Sequence, residues 1–276
     1  MIQEIARAKL NLALHVRHRR PDGYHALETL FAFVRDGDLL ALSDAEEDSF
    51  AITGPFAATL LAEGDNLVTR ARDRFRAVFP DQRPCAIRLD KQLPVASGIG
   101  GGSADAAAAL RAMATRANVP HDHPDLLACA DGLGSDVPAC LLSRTAVGRG
   151  RGEELMPVDG LAGTPVLLVN PGVGVSTAAV FGRWDGVDRG AIGSGDMLEV
   201  ARSGRNDLEP PARSLAPVID SVLTALNEQS GTRLVRMSGS GATCFALFDE
   251  EEARATAAAA IQKAQPGWWC LETTLV

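Results

Sequence analysis

The sequence predicts an α+β fold of two domains that meet near residue 150. Apolar residues at strand spacing and apolar stretches of helical length alternate along the chain without the regular order of βαβ units. The chain has 276 residues, of which 46% are hydrophobic, which is enough for two medium-sized cores. Glycines at 148, 150 and 152 interrupt the pattern near its middle. We therefore expect one domain over residues 1–150 and a second over residues 151–276.

The N-terminal part of the chain predicts two strands joined by a turn. Apolar residues alternate from residue 8 to residue 16, so Lys9, Asn11 and His15 fall on the opposite face of the strand. A Pro-Asp-Gly turn signal and a second apolar run follow, at residues 21–23 and 26–34.

The remaining elements follow from the same patterns, with glycine and proline as boundaries. Helices are predicted at residues 66–78, 103–118, 215–229 and 250–264. Strands are predicted at residues 85–89, 165–170, 234–237 and 244–248. Residues 182–196 are rich in glycine and aspartate, which predicts a mobile surface loop.

The composition argues against binding to nucleic acid or membranes. The formal net charge is −8, with 27 basic and 35 acidic residues, and the basic run at residues 17–20 is too short to bind a duplex. No apolar run approaches the ~18 residues of a membrane helix, and the first residues lack the basic region of a signal peptide. We therefore expect a cytoplasmic protein that binds neither nucleic acid nor membrane.

The five cysteines predict no metal centre and no disulfide framework. They are odd in number and widely spaced, without a Cys-x-x-Cys pair or a histidine at ligand spacing. Reduced thiols in the cytosol fit this pattern, and no metal-ligating residues are predicted.

The glycine loop, residues 98–103 (Gly-Ile-Gly-Gly-Gly-Ser), runs directly into an alanine-rich helix. Its four glycines let the backbone adopt positive φ and approach a ligand closely. A helix starting at about Ser103 directs its N–H groups and the positive end of its dipole at the loop, which suits a polyphosphate. The loop lacks the Gly-Lys-Ser/Thr of a Walker loop and the third glycine of a dinucleotide site. A glycine-rich turn before a capped helix is the alternative.

Several polar and aromatic residues have ordinary structural explanations when they are considered alone. Asp136, in Gly-Ser-Asp-Val-Pro, is typical of an N-cap, and Lys9 of the solvated face of a strand. Tyr24, the only tyrosine, fits a half-buried residue after a turn, and Phe181 fits a core position. We expect Ser103 to be an N-cap whether or not the loop binds phosphate.

Residues 94–107 resemble the phosphate loop of the GHMP kinases, which include galactokinase, homoserine kinase, mevalonate kinase and phosphomevalonate kinase. Four further segments resemble family motifs, at residues 8–12, 20–25, 134–138 and 239–242. The resemblance extends from the start of the chain to about residue 250, and two departures are mild: Ile99 replaces the usual Leu, and Ser97 a Gly or Ala. The Arg-Pro-Asp-Gly-Tyr-His segment resembles the branch whose substrate carries a cytidine diphosphate group.

The resemblance implies a GHMP kinase fold with the active site in the cleft between two domains, and ATP and Mg²⁺ as cofactors. It implies that the following residues contact ATP: Pro94, Gly98, Gly100, Gly101, Gly102, Ser103 and Asn66. The loop and the helix N-terminus would hold the triphosphate, with Ser103 near the β-phosphate or its magnesium ion.

Catalytic and substrate-binding residues are also implied by the resemblance. Asp136 would accept the proton of the substrate hydroxyl, while Lys9 would hold Asp136 ionised and stabilise charge on the phosphoryl group. Tyr24 and Phe181 would sandwich the cytosine ring, and His25 would bond to its edge. The full set of substrate-binding residues is Asn11, Tyr24, His25, Thr177 and Phe181.

Together these features predict an ATP-dependent kinase acting on a hydroxyl group of a cytidine-diphosphate-carrying small molecule, in isoprenoid biosynthesis. Two alternatives stay open. The first is another GHMP kinase, acting on mevalonate, homoserine or a sugar, although those substrates have no need of the Arg-Pro-Asp-Gly-Tyr-His segment. The second is a silent nucleotide-binding relative, which we expect to have lost Lys9, Asp136 or Ser103.

Overall fold

The computed structural model describes residues 1–61 and 66–276. In these residues the strands are β1 (Ile2–Arg19), β2 (His25–Asp44), β3 (Ser49–Thr53), β4 (Cys85–Asp90), β5 (Ala146–Arg149), β6 (Glu154–Pro157), β7 (Pro165–Asn170), β8 (Thr232–Met237), β9 (Cys244–Phe248) and β10 (Trp269–Thr274). The helices are α1 (Ala57–Leu61), α2 (Leu67–Val78), α3 (Gly101–Ala117), α4 (Pro124–Asp131), α5 (Val137–Leu142), α6 (Thr177–Gly182), α7 (Met197–Ser203), α8 (Glu209–Leu215), α9 (Val218–Asn227) and α10 (Glu251–Ala264).

The chain forms two compact units, and neither is one continuous stretch of sequence. The first unit consists of Met1–Ala8, Asp36–Val95 and Gly100–Ser143. The second consists of Lys9–Arg35, Ala96–Ile99 and Arg144–Val276. Strands β1 and β2 therefore contribute residues to both units. The division of the chain at residue 150 concerns the family's two domains and stays a prediction.

The first unit combines a small sheet with a helical layer. The second half of β2 pairs antiparallel with β4, and β3 pairs parallel with β4 on its other side. Helix α3 packs against α2, α4 and α5. Its small side chains are almost completely buried, among them Ala106, Ala109 and Ala112. Alanines let neighbouring helices approach α3 closely, so the alanine-rich sequence builds a tightly packed central helix.

The second unit contains an antiparallel sheet in the order β10-β7-β9-β8. Every residue of β7 and of β9 is buried. Helices α9 and α10 pack on this sheet through one hydrophobic cluster, which includes Val169, Phe248, Leu226 and Ile261. The first half of β2 pairs with β5, and β5 pairs with β6, also antiparallel.

Most predicted elements are confirmed, and the fully apolar ones have the predicted bounds. Strands β7 and β9 cover the predicted residues 165–170 and 244–248, and α2 covers residues 67–78 with Asn66 as its N-cap. The strand at residues 8–16 is part of the much longer β1. The turn between β1 and β2 is also confirmed, since Gly23 N donates to Arg20 O (3.1 Å).

One prediction about the second half of the chain is wrong in part. The helix expected at residues 215–229 is shorter, because α8 ends at Leu215 and α9 runs only from Val218 to Asn227, with Pro217 at its N-cap. Proline cannot donate a backbone hydrogen bond, so it starts a helix more readily than it continues one. The glycine-rich stretch near residue 150 forms the β5–β6 hairpin, with positive φ at Gly150 and Gly152.

Residues 182–196 form a loop between α6 and α7, as predicted. The loop is attached to the strands of its own unit by polar contacts. Arg17 Nε donates to Asp188 Oδ1 (2.9 Å), and Ile192 N donates to Glu28 Oε2 (2.8 Å). Its mobility stays a prediction. In the described part of the chain, no helix has the length and apolar composition needed to cross a membrane.

Candidate active site

The polar face of β1 is buried within the second unit. Lys9 and Asn11 are 4% and 2% exposed. The Lys9 Nζ atom donates to Asn11 Oδ1 (2.9 Å) and lies 5.3 Å from the centroid of the Phe31 ring. Asn11 Nδ2 in turn donates to Thr29 Oγ1 (2.8 Å). The explanation of Lys9 as a solvated strand residue is therefore wrong, and its burial with polar partners fits a functional group.

Asp136 lies in the first unit, directly before α5. It occupies the N-cap position with φ −87° and ψ −15°, but its side chain makes no capping hydrogen bond to the described N–H groups of this helix. Asp136 therefore occupies the predicted N-cap position, but its side chain does not accept from those N–H groups as a capping side chain does. Lys9 belongs to the second unit, and its partnership with Asp136 stays a prediction.

The glycine loop begins in the second unit at Gly98, whose φ is 79°. A Cβ atom on Gly98 would lie 2.4 Å from Ser238 O and 2.8 Å from Gly241 N. The Ser238 hydroxyl donates to Gly98 O (3.0 Å). Glycine is thus required at position 98 for close packing against the Gly-Ser-Gly-Ala segment at residues 239–242, in addition to any role toward a ligand.

The remainder of the glycine loop opens α3 in the first unit. Gly100 occupies the N-cap position with φ 67°, and the first intrahelical bond runs from Ala104 N to Gly100 O (2.8 Å). The N–H groups of Gly101, Gly102 and Ser103 precede that bond and form the anion-attracting end of the helix. The prediction that Ser103 is the N-cap is wrong, since the helix starts two residues earlier.

Pro94 and Asn66, the other predicted ATP contacts, are also in the first unit. Pro94 is buried ahead of the glycine loop. Asn66 Oδ1 accepts from Val68 N (2.8 Å) and so caps α2. Asn66 therefore has a structural role, and its contact with adenine stays a prediction.

Tyr24 follows the turn between β1 and β2 and is 54% exposed. Positive φ at Gly23 (87°) and a hydrogen bond from Tyr24 N to Asp22 Oδ1 (3.1 Å) fix the turn. The guanidinium carbon of Arg151 lies 5.2 Å from the centroid of the Tyr24 ring. This cation–π contact covers one face of the ring, so a base can stack on the opposite face.

His25 begins β2 and contacts two aromatic rings of the second unit. Its ring stacks on Phe181, with centroids 4.8 Å apart and an interplanar angle of 24°. Trp184 meets it edge-on at 5.6 Å. Burial, and then the positive charge of Arg19, lower the pKa of His25 below its ordinary value. A neutral imidazole can both donate and accept at the edge of a base.

Thr177 begins α6, where its Oγ1 lies 2.9 Å from Ser240 Oγ. Phe181, at the other end of this short helix, packs against the hydrophobic cluster of the second unit. The core explanation of Phe181 is therefore correct for part of its surface. Stacking on the His25 ring is its second contact.

Sequence reasoning missed several residues beside the predicted site. The Tyr24 ring is contacted by Arg151, and the His25 ring by Trp184. The Gly98 carbonyl is contacted by Ser238. All three contacting residues lie far away along the chain. Lys91 also escaped notice, although it precedes the loop by only a few residues. No local signal singles it out, since the polar residues Asp90 and Gln92 flank it.

The described residues include no group of three His, Cys, Asp or Glu side chains that could hold a metal ion. Magnesium in phosphoryl transfer is often held mainly by the nucleotide's phosphates with one or two protein oxygens. Ser103, in the first turn of α3, stays the predicted oxygen ligand of a magnesium ion bound with ATP.

A cavity of about 780 Å³ lies elsewhere in the second unit, lined by Trp184, Arg205, Pro210 and Arg236 among others. None of the predicted catalytic, ATP-binding or substrate-binding residues lines it. Its arginines are already occupied: Arg236 donates to Gly204 O (2.7 Å) and Arg205 to Asp207 (2.7 Å). Trp184, which meets the His25 ring edge-on, belongs both to the lining of this cavity and to the surroundings of the candidate site.

The sequence matches two family descriptions: the N-terminal domain of the GHMP kinases over residues 66–144, and their C-terminal domain over residues 189–267. A 4-diphosphocytidyl-2-C-methyl-D-erythritol kinase from Rhizorhabdus wittichii is 52% identical over 99% of this chain and 94% of its own length. The chain belongs to the GHMP kinase family. A relative of the same name from Novosphingobium aromaticivorans is 51% identical over 98% of this chain and 91% of its own length.

Solved GHMP kinase structures share the fold. A 4-(cytidine 5′-diphospho)-2C-methyl-D-erythritol kinase superposes with a TM-score of 0.80 at 33% identity, covering 99% of both chains. The Methanococcus jannaschii mevalonate kinase superposes with a TM-score of 0.71 at 10% identity, covering 100% of this chain and 98% of its own, which shows the fold alone. The predicted two-domain α+β GHMP kinase fold and the predicted kinase class are confirmed.

Proposed function

We propose that this GHMP kinase transfers the γ-phosphate of ATP to the 2-hydroxyl of 4-diphosphocytidyl-2-C-methyl-D-erythritol, a step of the methylerythritol phosphate route to isoprenoids. The observation that carries the proposal is the identity of about half the residues, over nearly the whole chain, with relatives named for this substrate. The exposed Tyr24 ring and the neutral His25 beside it support recognition of a pyrimidine base. A cytoplasmic location belongs to the same proposal.

ATP is held in this proposal by the start of α3. Positive φ at Gly100 turns the backbone so that the first N–H groups of the helix are available to the phosphates. These N–H groups and the helix dipole supply positive potential in an otherwise acidic chain. Magnesium bound with ATP neutralises part of the phosphate charge.

Lys9 and Asp136 handle the hydroxyl group. Asp136 accepts the hydroxyl proton while the oxygen forms its bond to the γ-phosphorus and the bond from phosphorus to the β-γ bridging oxygen breaks, which leaves ADP. Lys9 stabilises the negative charge on the oxygen or on the transferred group. Its ammonium is oriented by Asn11 and lies near the Phe31 ring, so little reorganisation is needed during the reaction.

The cytidine end of the substrate is held by Tyr24, His25 and Phe181. Arg151 covers one face of the Tyr24 ring, so the cytosine stacks on the other face. His25 offers an imidazole edge to the base, and Phe181 holds the His25 ring in place. Thr177 and Asn11 complete the set of substrate contacts.

One assay tests this proposal against its alternatives. ADP release by the purified protein with ATP and Mg²⁺ is measured with the cytidyl substrate, mevalonate, homoserine and galactose in parallel. We expect release with the cytidyl substrate alone. Turnover of one of the other acceptors instead would assign the chain to another GHMP kinase. Binding of ADP without turnover of any acceptor would support the silent nucleotide-binding relative.

A further inference from the structure

Three charged side chains of the first unit are buried together. Asp38, Lys91 and Asp105 are 0%, 1% and 2% exposed. They come from three elements: Asp38 lies in β2, Lys91 directly follows β4, and Asp105 lies in the first turns of α3. Burying charges costs free energy, so a cluster of three in the interior calls for a function.

The Lys91 ammonium forms hydrogen bonds with both carboxyl groups of the cluster. Its Nζ donates to Asp38 Oδ2 (2.5 Å) and to Asp105 Oδ2 (2.7 Å). Asp38 Oδ1 accepts from the backbone N–H groups of Gln92 (2.6 Å) and Leu93 (2.8 Å). The cluster therefore fixes both the segment that leads into the glycine loop and the helix that follows the loop.

Gly101, the first residue of α3, lies directly beside this ammonium. A Cβ atom on Gly101 would be 3.1 Å from Lys91 Nζ and 3.9 Å from Asp38 Oδ2. The φ angle of Gly101 is not in the left-handed region, unlike those of Gly98 and Gly100. The glycine at position 101 therefore makes room for the lysine.

Burial and mutual contact shift the pKa values of two members of the cluster. Burial raises the pKa of Asp105 well above its ordinary value, and the neighbouring charge of Asp38 adds to this, although Lys91 opposes it. Burial acts to lower the pKa of Lys91, but the two carboxyl groups outweigh burial and raise it.

We propose that Lys91, held by Asp38 and Asp105, is a positioning residue that sets the affinity of the glycine loop for the phosphates of ATP. It acts by fixing the first turn of α3 and the backbone before the loop, without contacting the nucleotide. The inference rests on the proposed function, in which this loop holds ATP.

The primary test replaces Lys91 by methionine, which keeps the length of the side chain and removes its charge. We expect Lys91→Met to raise the Kd for ADP and the KM for ATP by about 5- to 30-fold, the scale of a lost helix-terminus interaction. The KM for the cytidyl substrate should change by less than about twofold. General damage to the fold would instead raise the KM values for ATP and for the cytidyl substrate together. Calorimetric titration with ADP gives the Kd directly.

A matched control is available in α3. Arg111 is a buried cation of this helix, about three turns from its start beside the loop. It donates to Glu4 Oε2 (2.7 Å), Ile5 O (2.9 Å) and Cys140 O (2.9 Å). Arg111→Met should lower the Tm and leave the Kd for ADP unchanged. If Lys91→Met behaves in the same way, the cluster is only structural and the proposal is overturned.

A double-mutant cycle decides whether Gly101 acts through Lys91. Gly101→Ala should fold even if Lys91→Met does not, because alanine favours a helix more than glycine does. We expect Gly101→Ala to raise the Kd for ADP without lowering the Tm. In the Lys91→Met background, the same Gly101→Ala change should leave the Kd for ADP unaltered. Additive losses of affinity would refute the coupling and with it the positioning role. Failure of the proposed function is seen separately, as an absence of ADP binding by the unmodified enzyme.

Discussion

The His25 ring stacks on the Phe181 ring with centroids 4.8 Å apart and planes inclined by 24°. No base fits between two rings at this separation, which is already that of a stacked pair. The face of the Phe181 ring that stacks on His25 is therefore closed to the cytosine that Tyr24 and Phe181 are predicted to sandwich. The Tyr24 ring, with one face covered by Arg151 and 54% of its surface exposed, is the more accessible platform.

Tyr24→Ala should raise the KM for the cytidyl substrate by about 5- to 150-fold, because base stacking on an aromatic ring is worth about 1–3 kcal/mol. The KM for ATP should stay nearly unchanged. Tyr24→Phe serves as the control, since it keeps the ring and removes only the hydroxyl group, and its KM should match that of the unmodified enzyme. An increase in the KM for ATP alone would place the cytidine pocket elsewhere.

His25→Ala should reduce the preference for cytidine over uridine analogues, because it removes the polar edge that distinguishes the two bases. The ratio of kcat/KM for the two analogues measures this preference. Phe181→Leu, which takes away the ring that orients His25, should reduce the preference in the same direction but less. An unchanged ratio in His25→Ala would show that another residue contacts the edge of the base.

Asp136→Asn should lower kcat by about 10²- to 10⁴-fold, the usual effect of losing an acid–base group. The Tm should barely change, because asparagine suits the N-cap position of α5 as well as aspartate does. Asp125→Asn, in the exposed first turn of α4, is the control and should keep full activity. A variant at position 136 with normal kcat would remove Asp136 from the chemistry.

Much of the fold follows from local sequence patterns. Strands β7 and β9 are short, fully apolar runs between turn residues, so their bounds could be predicted. Strand β3, by contrast, pairs parallel with β4 at one edge of its sheet and has exposed residues at alternate positions. Its five residues are too few to show a clear period, and pairing with a distant segment makes it a strand.

The roles of residues in the candidate site are harder to predict from local sequence than the strands and helices are. The glycines at 98, 100 and 101 form one run of sequence, yet one packs on Ser238, one turns the backbone and one leaves space for Lys91. The local sequence does not distinguish these three roles of glycine, because the tertiary fold determines which atoms contact each position. Lys9 looked like a surface residue for the same reason, since burial of both faces of β1 depends on the rest of its unit.

Substituting two of these glycines should separate ligand binding from stability. Gly100→Val should weaken binding of ADP far more than of the cytidyl substrate, because a β-branched residue strongly disfavours φ 67° at the start of α3. Gly98→Ala should mainly lower the free energy of unfolding, by about 1–3 kcal/mol, since its Cβ would collide with a backbone oxygen. Titration with each ligand and thermal unfolding measure the two effects. Equal losses of both ligands in Gly100→Val would indicate a general role in folding.

His15 gives the second unit a pH-dependent stability. The ring is 2% exposed, its Nδ1 lies 3.0 Å from Gly190 O, and its Nε2 accepts from Arg205 N (3.2 Å). These partners require the neutral tautomer with the proton on Nδ1. Burial, followed by the positive charge of Arg205, lowers the pKa of His15, although Gly190, Asp207 and Glu28 oppose the shift.

A histidine whose pKa is lowered by folding binds fewer protons in the native state than in the unfolded state. Its contribution to stability is complete above the unfolded pKa of about 6.5 and is lost as the pH falls from there through the folded pKa.

His15→Asn can still donate to Gly190 O but cannot titrate, so its free energy of unfolding should fall less steeply between about pH 7 and pH 5 than that of the unmodified protein. Urea unfolding at several pH values measures the difference in slope. His25, whose pKa is also lowered, is present in both proteins, so the difference reports on His15 alone. His18→Asn, at an exposed position of β1, is the control and should keep the steep dependence. Equal slopes for His15→Asn and the unmodified protein would show that the acid sensitivity of this unit has another source.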